Sequence, residues 1–165
     1  MRFLAWSIVA ASLLMAATFS LAQMHGMQGR GMMGGGMMGG DGTRGMSMTR
    51  HRYVMRHGID SLYASKTNPL QPTANNTQAG RQSYELYCAS CHGPSGRGDG
   101  PAGENLNPRP TNIAAFSKMP MASDAYLYWT IAEGGSPVGS AMPPFKDALD
   151  ETQIWQLILS LRQME

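Results

Sequence analysis

Five consecutive residues, Cys88-Ala89-Ser90-Cys91-His92, constrain the fold of this 165-residue chain more than any other feature of its sequence. Residues three and four positions apart lie on one face of a helical turn, so Cys88, Cys91 and His92 are expected to project together. Two thiols in that arrangement can bond the two vinyl groups of a haem while the imidazole reaches its iron. The C-x-x-C-H spacing therefore predicts the covalent attachment of a c-type haem.

The same two cysteines are also compatible with a redox pair, a structural zinc site or a disulfide. A thioredoxin-like redox pair needs a βαβ pattern with a buried strand before the motif, and the sequence contains no such strand pattern. A structural zinc site needs about four ligands. The chain has two cysteines and no histidine after His92. These features favour haem, and zinc or a disulfide between Cys88 and Cys91 remain the alternatives.

The first 22 residues have the pattern of a secretory signal. Arg2 precedes an apolar run over residues 3–19, and the segment ends in Ser20-Leu21-Ala22, which predicts cleavage after Ala22. Export to the periplasm agrees with the haem prediction, because bacteria attach c-type haem outside the cytoplasmic membrane. About 20 apolar residues span a bilayer, so an uncleaved anchor is the alternative, and membrane association is expected only in that case.

Residues 23–48 are rich in methionine and glycine. Ten glycines between Gly26 and Gly45 carry a backbone entropy cost that the scattered methionines cannot offset by burial, which predicts disorder. Thioether sulfur is a soft ligand that selects Cu(I), and His25 offers a further ligand. The segment is therefore interpreted either as a spacer or as a copper-binding sequence.

Charge divides the exported sequence into a basic extension and a mildly acidic domain. Five arginines accompany one acidic residue between positions 23 and 57, whereas nine acidic and six basic residues occur between positions 76 and 165. Neither part is charged strongly enough to indicate a nucleic-acid partner.

Residues 49–75 are predicted to form a basic arm or linker that lies against the domain. Pro69 and Pro72 favour extended backbone at its end. His51 and His57 are candidate ligands for a metal or the haem, although their arginine neighbours favour solvent exposure.

Residues 76–165 are predicted to form an all-α domain of three helices joined by Gly/Pro-rich loops. The first helix covers residues 79–88. The second begins after Ser123 and ends at Gly134-Gly135, and the third begins after Asp150. The side chains expected on the buried sides are Tyr84, Leu86 and Tyr87 in the first helix and Ile154, Trp155, Leu157, Ile158 and Leu161 in the third.

This order of elements, with C-x-x-C-H at the end of the first helix and Met-Pro before the last, resembles class I c-type cytochromes. The resemblance covers residues 76–165 and implies a small cytochrome c-like helical domain around one covalent haem. By the family pattern, Cys88 and Cys91 form the thioethers and His92 is the proximal iron ligand.

The resemblance also extends to positions outside the motif. Gly80, Tyr84 and Trp155 stand where the first and last helices of the family cross closely. Gly100-Pro101 is similar to the family's Gly-Pro, whose proline carbonyl accepts a hydrogen bond from the proximal imidazole.

The sixth iron ligand is expected to be a methionine, because His92 is the only histidine of the domain. The candidates are Met119, Met121, Met142 and Met164. Met142 follows the middle helix in the sequence Ala-Met-Pro-Pro-Phe, which resembles the family's ligand loop. Met142 is therefore predicted to be the distal ligand.

Ligation by histidine and methionine fills both axial positions of the iron and raises the reduction potential, which suits electron transfer. The sequence therefore predicts a periplasmic monohaem electron carrier, not an independent enzyme, that works between a redox donor and a redox acceptor. One alternative is a copper-handling protein that uses the Met-rich segment. Another is the haem subunit of a larger oxidase or reductase complex.

Overall fold

The computed structural model describes residues 48–165, and all regular secondary structure within that range is helical. The predicted all-α class is confirmed for these residues. The predicted signal sequence at residues 1–22 and the Met/Gly-rich residues 23–47 lie outside the described range. The α-helices are α1 (Thr49–His57), α2 (Ala74–Tyr87), α3 (Ala89–His92), α4 (Ile113–Phe116), α5 (Asp124–Glu133) and α6 (Glu151–Gln163), with 3₁₀ turns at Pro101–Gly103 and Ser136–Val138.

Side-chain caps determine where the longer helices of the domain begin. The Ser123 hydroxyl accepts a hydrogen bond from the Tyr126 amide at 3.2 Å, and Asp150 forms a reciprocal capping box with Gln153. Both predicted caps are confirmed. Helix α2 begins earlier than predicted, at Ala74, because the side chain of Thr73 caps it.

Helices α2 and α6 cross at Gly80, where the two backbones touch. A Cβ atom at Gly80 would lie 1.9 Å from the carbonyl oxygen of Gln156, so a side chain has no room there. Tyr84 and Trp155 are 1% and 2% exposed. The close crossing of the first and last domain helices, expected from the resemblance, is confirmed. The Tyr84 hydroxyl also donates a hydrogen bond to the Gly93 carbonyl oxygen, which fixes the turn after His92 to α2.

The prediction that Leu86 lies on the buried side of α2 is wrong, since its side chain is 74% exposed. The buried residues of α2 are Thr77, Gly80 and Tyr84, which are three and four positions apart. Successive helical residues are rotated by about 100°, so Leu86 lies about 200° around the helix from Tyr84 and faces away from the core.

The arm that precedes the domain contains α1, a helix that was not predicted from the sequence. The Tyr53 ring on α1 stacks on Trp129 with 6.0 Å between ring centroids. Further along the arm, the Asn68 amide donates to Asp124 Oδ2 at 2.9 Å, and its Nδ2 donates to the Trp155 carbonyl oxygen at 3.0 Å. These contacts confirm that the arm lies against the domain.

Within residues 48–165, no helix combines the length and the apolar character that a membrane crossing requires.

Candidate functional site

A cavity of about 240 Å³ lies beside the C-x-x-C-H motif. Cys88, Cys91 and His92 form part of its wall, and Met142 forms another part from the loop that precedes α6. Thus the structure brings all four predicted site residues to one cavity. Much of the remaining wall is apolar, as a macrocycle requires, and includes Phe116, Leu127, Ile131, Leu157 and Leu161.

The motif adopts the helical turn that the spacing predicts. Cys88 is the C-cap of α2, with its amide donating to the Tyr84 carbonyl oxygen, and α3 follows directly and ends at His92. The His92 amide donates to the Cys88 carbonyl oxygen at 2.9 Å, a bond between residues four positions apart. This local geometry places the two thiols and the imidazole on the same wall.

The two thiols do not have the character of a thioredoxin-like pair. Cys88 and Cys91 are both free and half-buried. Burial, with a smaller contribution from Cys91, raises the pKa of Cys88 to about 12, whereas an exchange-active cysteine needs a lowered pKa. Among residues 48–165, no cluster of three or more His, Cys, Asp or Glu side chains could hold a metal, which leaves zinc without a ligand set there.

The imidazole of His92 is oriented by a backbone carbonyl. His92 Nδ1 lies 3.0 Å from the Thr111 carbonyl oxygen, and a carbonyl only accepts, so Nδ1 carries the hydrogen of this bond. Burial lowers the pKa of His92, while the hydrogen bond to Thr111 acts in the opposite direction. The neutral ring therefore presents Nε2, which is the atom required to ligate an iron.

The resemblance pointed to the Pro101 carbonyl as the partner of this imidazole, and that assignment is wrong. A Cβ atom at Gly100 would lie 2.4 Å from the Ser90 carbonyl oxygen, and one at Gly103 would lie 2.7 Å from that of Cys91. The turn that contains Pro101 therefore packs on the backbone of the motif. Thr111, ten residues later, supplies the carbonyl instead.

Backbone contacts at the end of α5 hold the loop that carries Met142. The Gly135 amide donates to the Met142 carbonyl oxygen at 2.7 Å. Gly134 has a φ of +63°, and a Cβ atom there would lie 2.4 Å from the Pro143 carbonyl carbon. The Phe145 amide donates to the Ile131 carbonyl oxygen at 3.1 Å, which fixes the other end of the loop.

Of the four candidate methionines, Met142 lines the cavity and the other three do not. Met119 packs against the hydrophobic core, Met121 is 38% exposed, and Met164 is buried. The assignment of Met142 as an iron ligand stays a prediction, and its position agrees with that role. Neither His51 nor His57 lines this cavity.

Several polar side chains that line the cavity were not predicted from the sequence, and two of them are Arg50 from α1 and Thr130 from α5. Arg50 Nη2 donates to the Gly134 carbonyl oxygen, and its guanidinium carbon lies 5.0 Å from the centroid of the Trp129 ring. Burial lowers the pKa of Arg50. The spacing of Arg50, Tyr53 and Val54 at positions i, i+3 and i+4 is the signal that could have indicated a packed helical face.

Part of the chain matches a known protein family. Residues 75–159, just over half of the chain, match the family model of cytochrome c oxidase, cbb3-type, subunit III. A chain in the structure of the reducing HAO-like protein complex of Kuenenia stuttgartiensis is 28% identical, with a TM-score of 0.49, over 58% of this chain and 46% of that one. This chain thus covers less than half the length of that chain. The comparison with curated proteins found no match to this chain. The chain belongs to the cbb3-type subunit III family of c-type cytochromes, and its cytochrome c domain implies covalently bound haem c and electron transfer.

Proposed function

We propose that this protein is an exported monohaem electron carrier in which single electrons pass between redox partners through a haem ligated by His92 and Met142. The observation that carries the proposal is the convergence of Cys88, Cys91, His92 and Met142 on one largely apolar cavity within a c-type cytochrome domain. Haem c, when bound, supplies reversible one-electron exchange at its iron.

The residues of the chain have separate roles in this proposal. Cys88 and Cys91 hold the macrocycle through thioether bonds, so it cannot dissociate. His92 supplies Nε2, and the Thr111 carbonyl keeps the ring in the required orientation. Met142 supplies a neutral thioether sulfur, which favours ferrous iron and therefore a high reduction potential.

The apolar side chains of the cavity act by excluding water. An environment of low dielectric constant makes the extra positive charge of ferric iron less favourable, which raises the reduction potential further. If His92 and Met142 both held the iron, no position would remain open to oxygen or a substrate, so electron transfer would be favoured over their binding.

The proposed location is the periplasm, with residues 1–22 removed after Ala22. The support is the sequence pattern of the signal and the need to attach haem outside the cytoplasm. Intact mass of the protein purified from a bacterial host tests this proposal. A mass that includes residues 1–22, with the protein in the membrane fraction, would support the uncleaved anchor instead.

The test of the carrier is the haem content of variants in the motif. We expect Cys88→Ala, Cys91→Ala and His92→Ala to lose stable holoprotein, because a domain of about 90 residues with long loops depends on these links for its core. Ser90→Ala is the matched control, since it leaves the C-x-x-C-H pattern intact.

The measurements are the pyridine haemochrome spectrum, the intact mass and a redox titration. One covalent haem and a one-electron titration curve are expected for the unmodified chain and for Ser90→Ala. Normal haem content with an unchanged potential in His92→Ala would contradict the proposal.

The family match supports a second candidate function, the haem subunit of a larger oxidase or reductase complex. The experiment that separates the two is purification under mild conditions from native periplasmic and membrane fractions. Stoichiometric co-purification with a catalytic subunit supports the complex, whereas a monomeric haem protein supports the free carrier.

A further inference from the structure

We propose that Arg50 and Thr130 form a carboxylate-binding corner of the cavity that takes a haem propionate, so the arm supplies part of the haem site. This inference rests on the proposed function, because it assumes that a haem fills the cavity. Both side chains line that cavity, together with Cys88, Cys91, His92 and Met142. Arg50 belongs to α1 and lies outside residues 75–159, the part of the chain that matches the family.

Two buried polar atoms in this corner have no hydrogen-bond partner. They are Arg50 Nη1 and Thr130 Oγ1. Leaving a buried donor unsatisfied is unfavourable, and more so when the group is charged, so such atoms are rare in folded proteins. Two of them on one cavity wall indicate that the occupant of the cavity supplies an acceptor.

The second terminal nitrogen of the guanidinium, Nη2, already has a hydrogen-bond partner. Arg50 Nη2 donates to the Gly134 carbonyl oxygen, and the guanidinium lies over the Trp129 ring. The Gly134 amide in turn donates to the Thr130 carbonyl oxygen at 3.1 Å, so Arg50 is bound one helical turn from Thr130. The charged group is therefore held at α5, and its remaining nitrogen and the Thr130 hydroxyl are available to the same ligand.

The charge of Arg50 indicates that this ligand is an anion. Among residues 48–165, no aspartate or glutamate lines the cavity. The ion pairs in this part of the chain are formed by Lys66, Lys146 and Arg162, none of which lines the cavity. A buried guanidinium without a counter-ion is unfavourable, and a carboxylate is an anion that accepts charge-assisted hydrogen bonds from guanidinium N–H groups. The carboxylates that a haem brings into an apolar cavity are its two propionates.

An arginine at this position affects the redox chemistry as well as binding. A propionate charge near the iron favours the ferric state, and the charge of Arg50 compensates for it. The arm therefore raises the reduction potential of the haem that it covers. A residue that served only to pack the arm against Trp129 would have no such effect.

The test uses the full-length holoprotein and four variants. Arg50→Gln removes the charge, Arg50→Lys keeps it without the guanidinium group, and Thr130→Val removes only the hydroxyl. Arg56→Gln is the control, because Arg56 is an exposed arginine of the same helix and does not line the cavity. Haem content, the resonance Raman propionate bending frequency and the reduction potential are measured for each.

We expect normal haem content in all variants and a shifted propionate frequency in Arg50→Gln and Thr130→Val. The equilibrium constant for reduction should fall roughly tenfold in Arg50→Gln, the size expected for a unit charge at the edge of a macrocycle in a medium with an effective dielectric constant of about 20. Arg50→Lys should keep most of the potential while losing the propionate signature, and Arg56→Gln should match the unmodified protein.

The proposed function and this inference fail in different ways. Bound haem with an unchanged propionate frequency and potential in both Arg50→Gln and Thr130→Val would overturn the carboxylate site alone. Absence of covalent haem from the unmodified protein would overturn the carrier and the site together. If Arg50→Gln does not fold, the propionate frequencies of Thr130→Val and Arg50→Lys test the carboxylate site instead. Both substitutions keep the side-chain volume of the corner nearly unchanged.

Discussion

At the scale of single residues, Met142 and Met119 form a matched pair. Both are half-buried methionines, and of the two only Met142 lines the cavity. We expect Met142→Ala to open the sixth iron position, lower the reduction potential, and remove the weak near-infrared absorption of ferric iron bound to sulfur. Met119→Ala should keep that absorption and the potential, with a loss of about 1 to 3 kcal/mol in the free energy of unfolding.

Redox titration and near-infrared absorption of both variants decide the assignment. Loss of the sulfur band in Met119→Ala, with Met142→Ala like the unmodified protein, would reverse it. Loss in neither variant would move the sixth ligand elsewhere, with His51 and His57 of the arm as the next candidates.

At the scale of helices, the close crossing of α2 and α6 predicts the sign of the change in unfolding free energy for Gly80→Ala. Alanine is a better helix former than glycine by about 1 kcal/mol, so propensity alone favours Gly80→Ala. The new Cβ atom would, however, lie 1.9 Å from the Gln156 carbonyl oxygen, and the helices would have to separate. We expect a net loss of about 1 to 3 kcal/mol in unfolding free energy, measured by denaturant titration.

The control for Gly80→Ala is Gln82→Ala, an exposed position on the same helix, where a change within about 0.5 kcal/mol is expected. A stability gain in Gly80→Ala would show that the two helices can move apart without cost and that the crossing is not close-packed in solution.

The contact between the arm and α5 predicts a pH dependence. The Tyr63 hydroxyl donates a hydrogen bond to Glu133 Oε1, which lowers the pKa of Glu133, with Lys146 acting in the same direction. A lowered folded-state pKa means that the stabilisation is complete above the unfolded value of about 4.3 and is lost as the pH falls through the folded value. Protection of the arm from limited proteolysis should therefore be constant near neutrality and decrease below about pH 4.

Tyr63→Phe removes the largest cause of the shift while leaving Lys146 in place. We expect the arm of this variant to be cut faster near neutral pH and to show a shallower pH dependence. The same pH profile in both proteins would mean that another group controls docking of the arm.

At the scale of the whole molecule, the sequence predicts that residues 23–48 contribute little to the stability of the domain. Ordering a glycine-rich sequence has a high backbone entropy cost, so we expect its deletion to leave the haem spectrum and the melting temperature nearly unchanged. A large loss of thermal stability would show that this segment is structural. Titration of the full-length and deleted proteins with Cu(I) tests the copper interpretation, which requires that binding sites disappear with the segment.

The extent to which the fold and site could be predicted depends on how far apart the interacting residues are. The C-x-x-C-H turn and the caps at Ser123 and Asp150 involve residues within four positions of one another, so their patterns were readable directly. The partner of His92 at Thr111 is 19 positions away, and that of Arg50 at Gly134 is 84 positions away. Such pairs are determined by tertiary packing, which propensity and spacing do not contain.

Helix α1 illustrates the same limit. Its nine residues include five that are Arg or His and no acidic residue in the first turn. An isolated helix of this length is marginal in water, so it owes its stability to packing against the domain. The second residue of α1 is Arg50, which lines the cavity. A segment outside the family match thus contributes a side chain to the cavity wall.

Gly134 joins three parts of the molecule through atoms of its backbone. Its carbonyl oxygen accepts a hydrogen bond from Arg50 of the arm, and its amide donates to the Thr130 carbonyl oxygen in the last turn of α5. Its Cα atom packs against Pro143, the residue after Met142. With a φ of +63° and no room for a Cβ atom, position 134 excludes other residues on two independent grounds. Because Gly134 has no side chain, the arm and the loop that carries Met142 both contact the same backbone unit. A displacement of Gly134 by either segment therefore changes the position of the other.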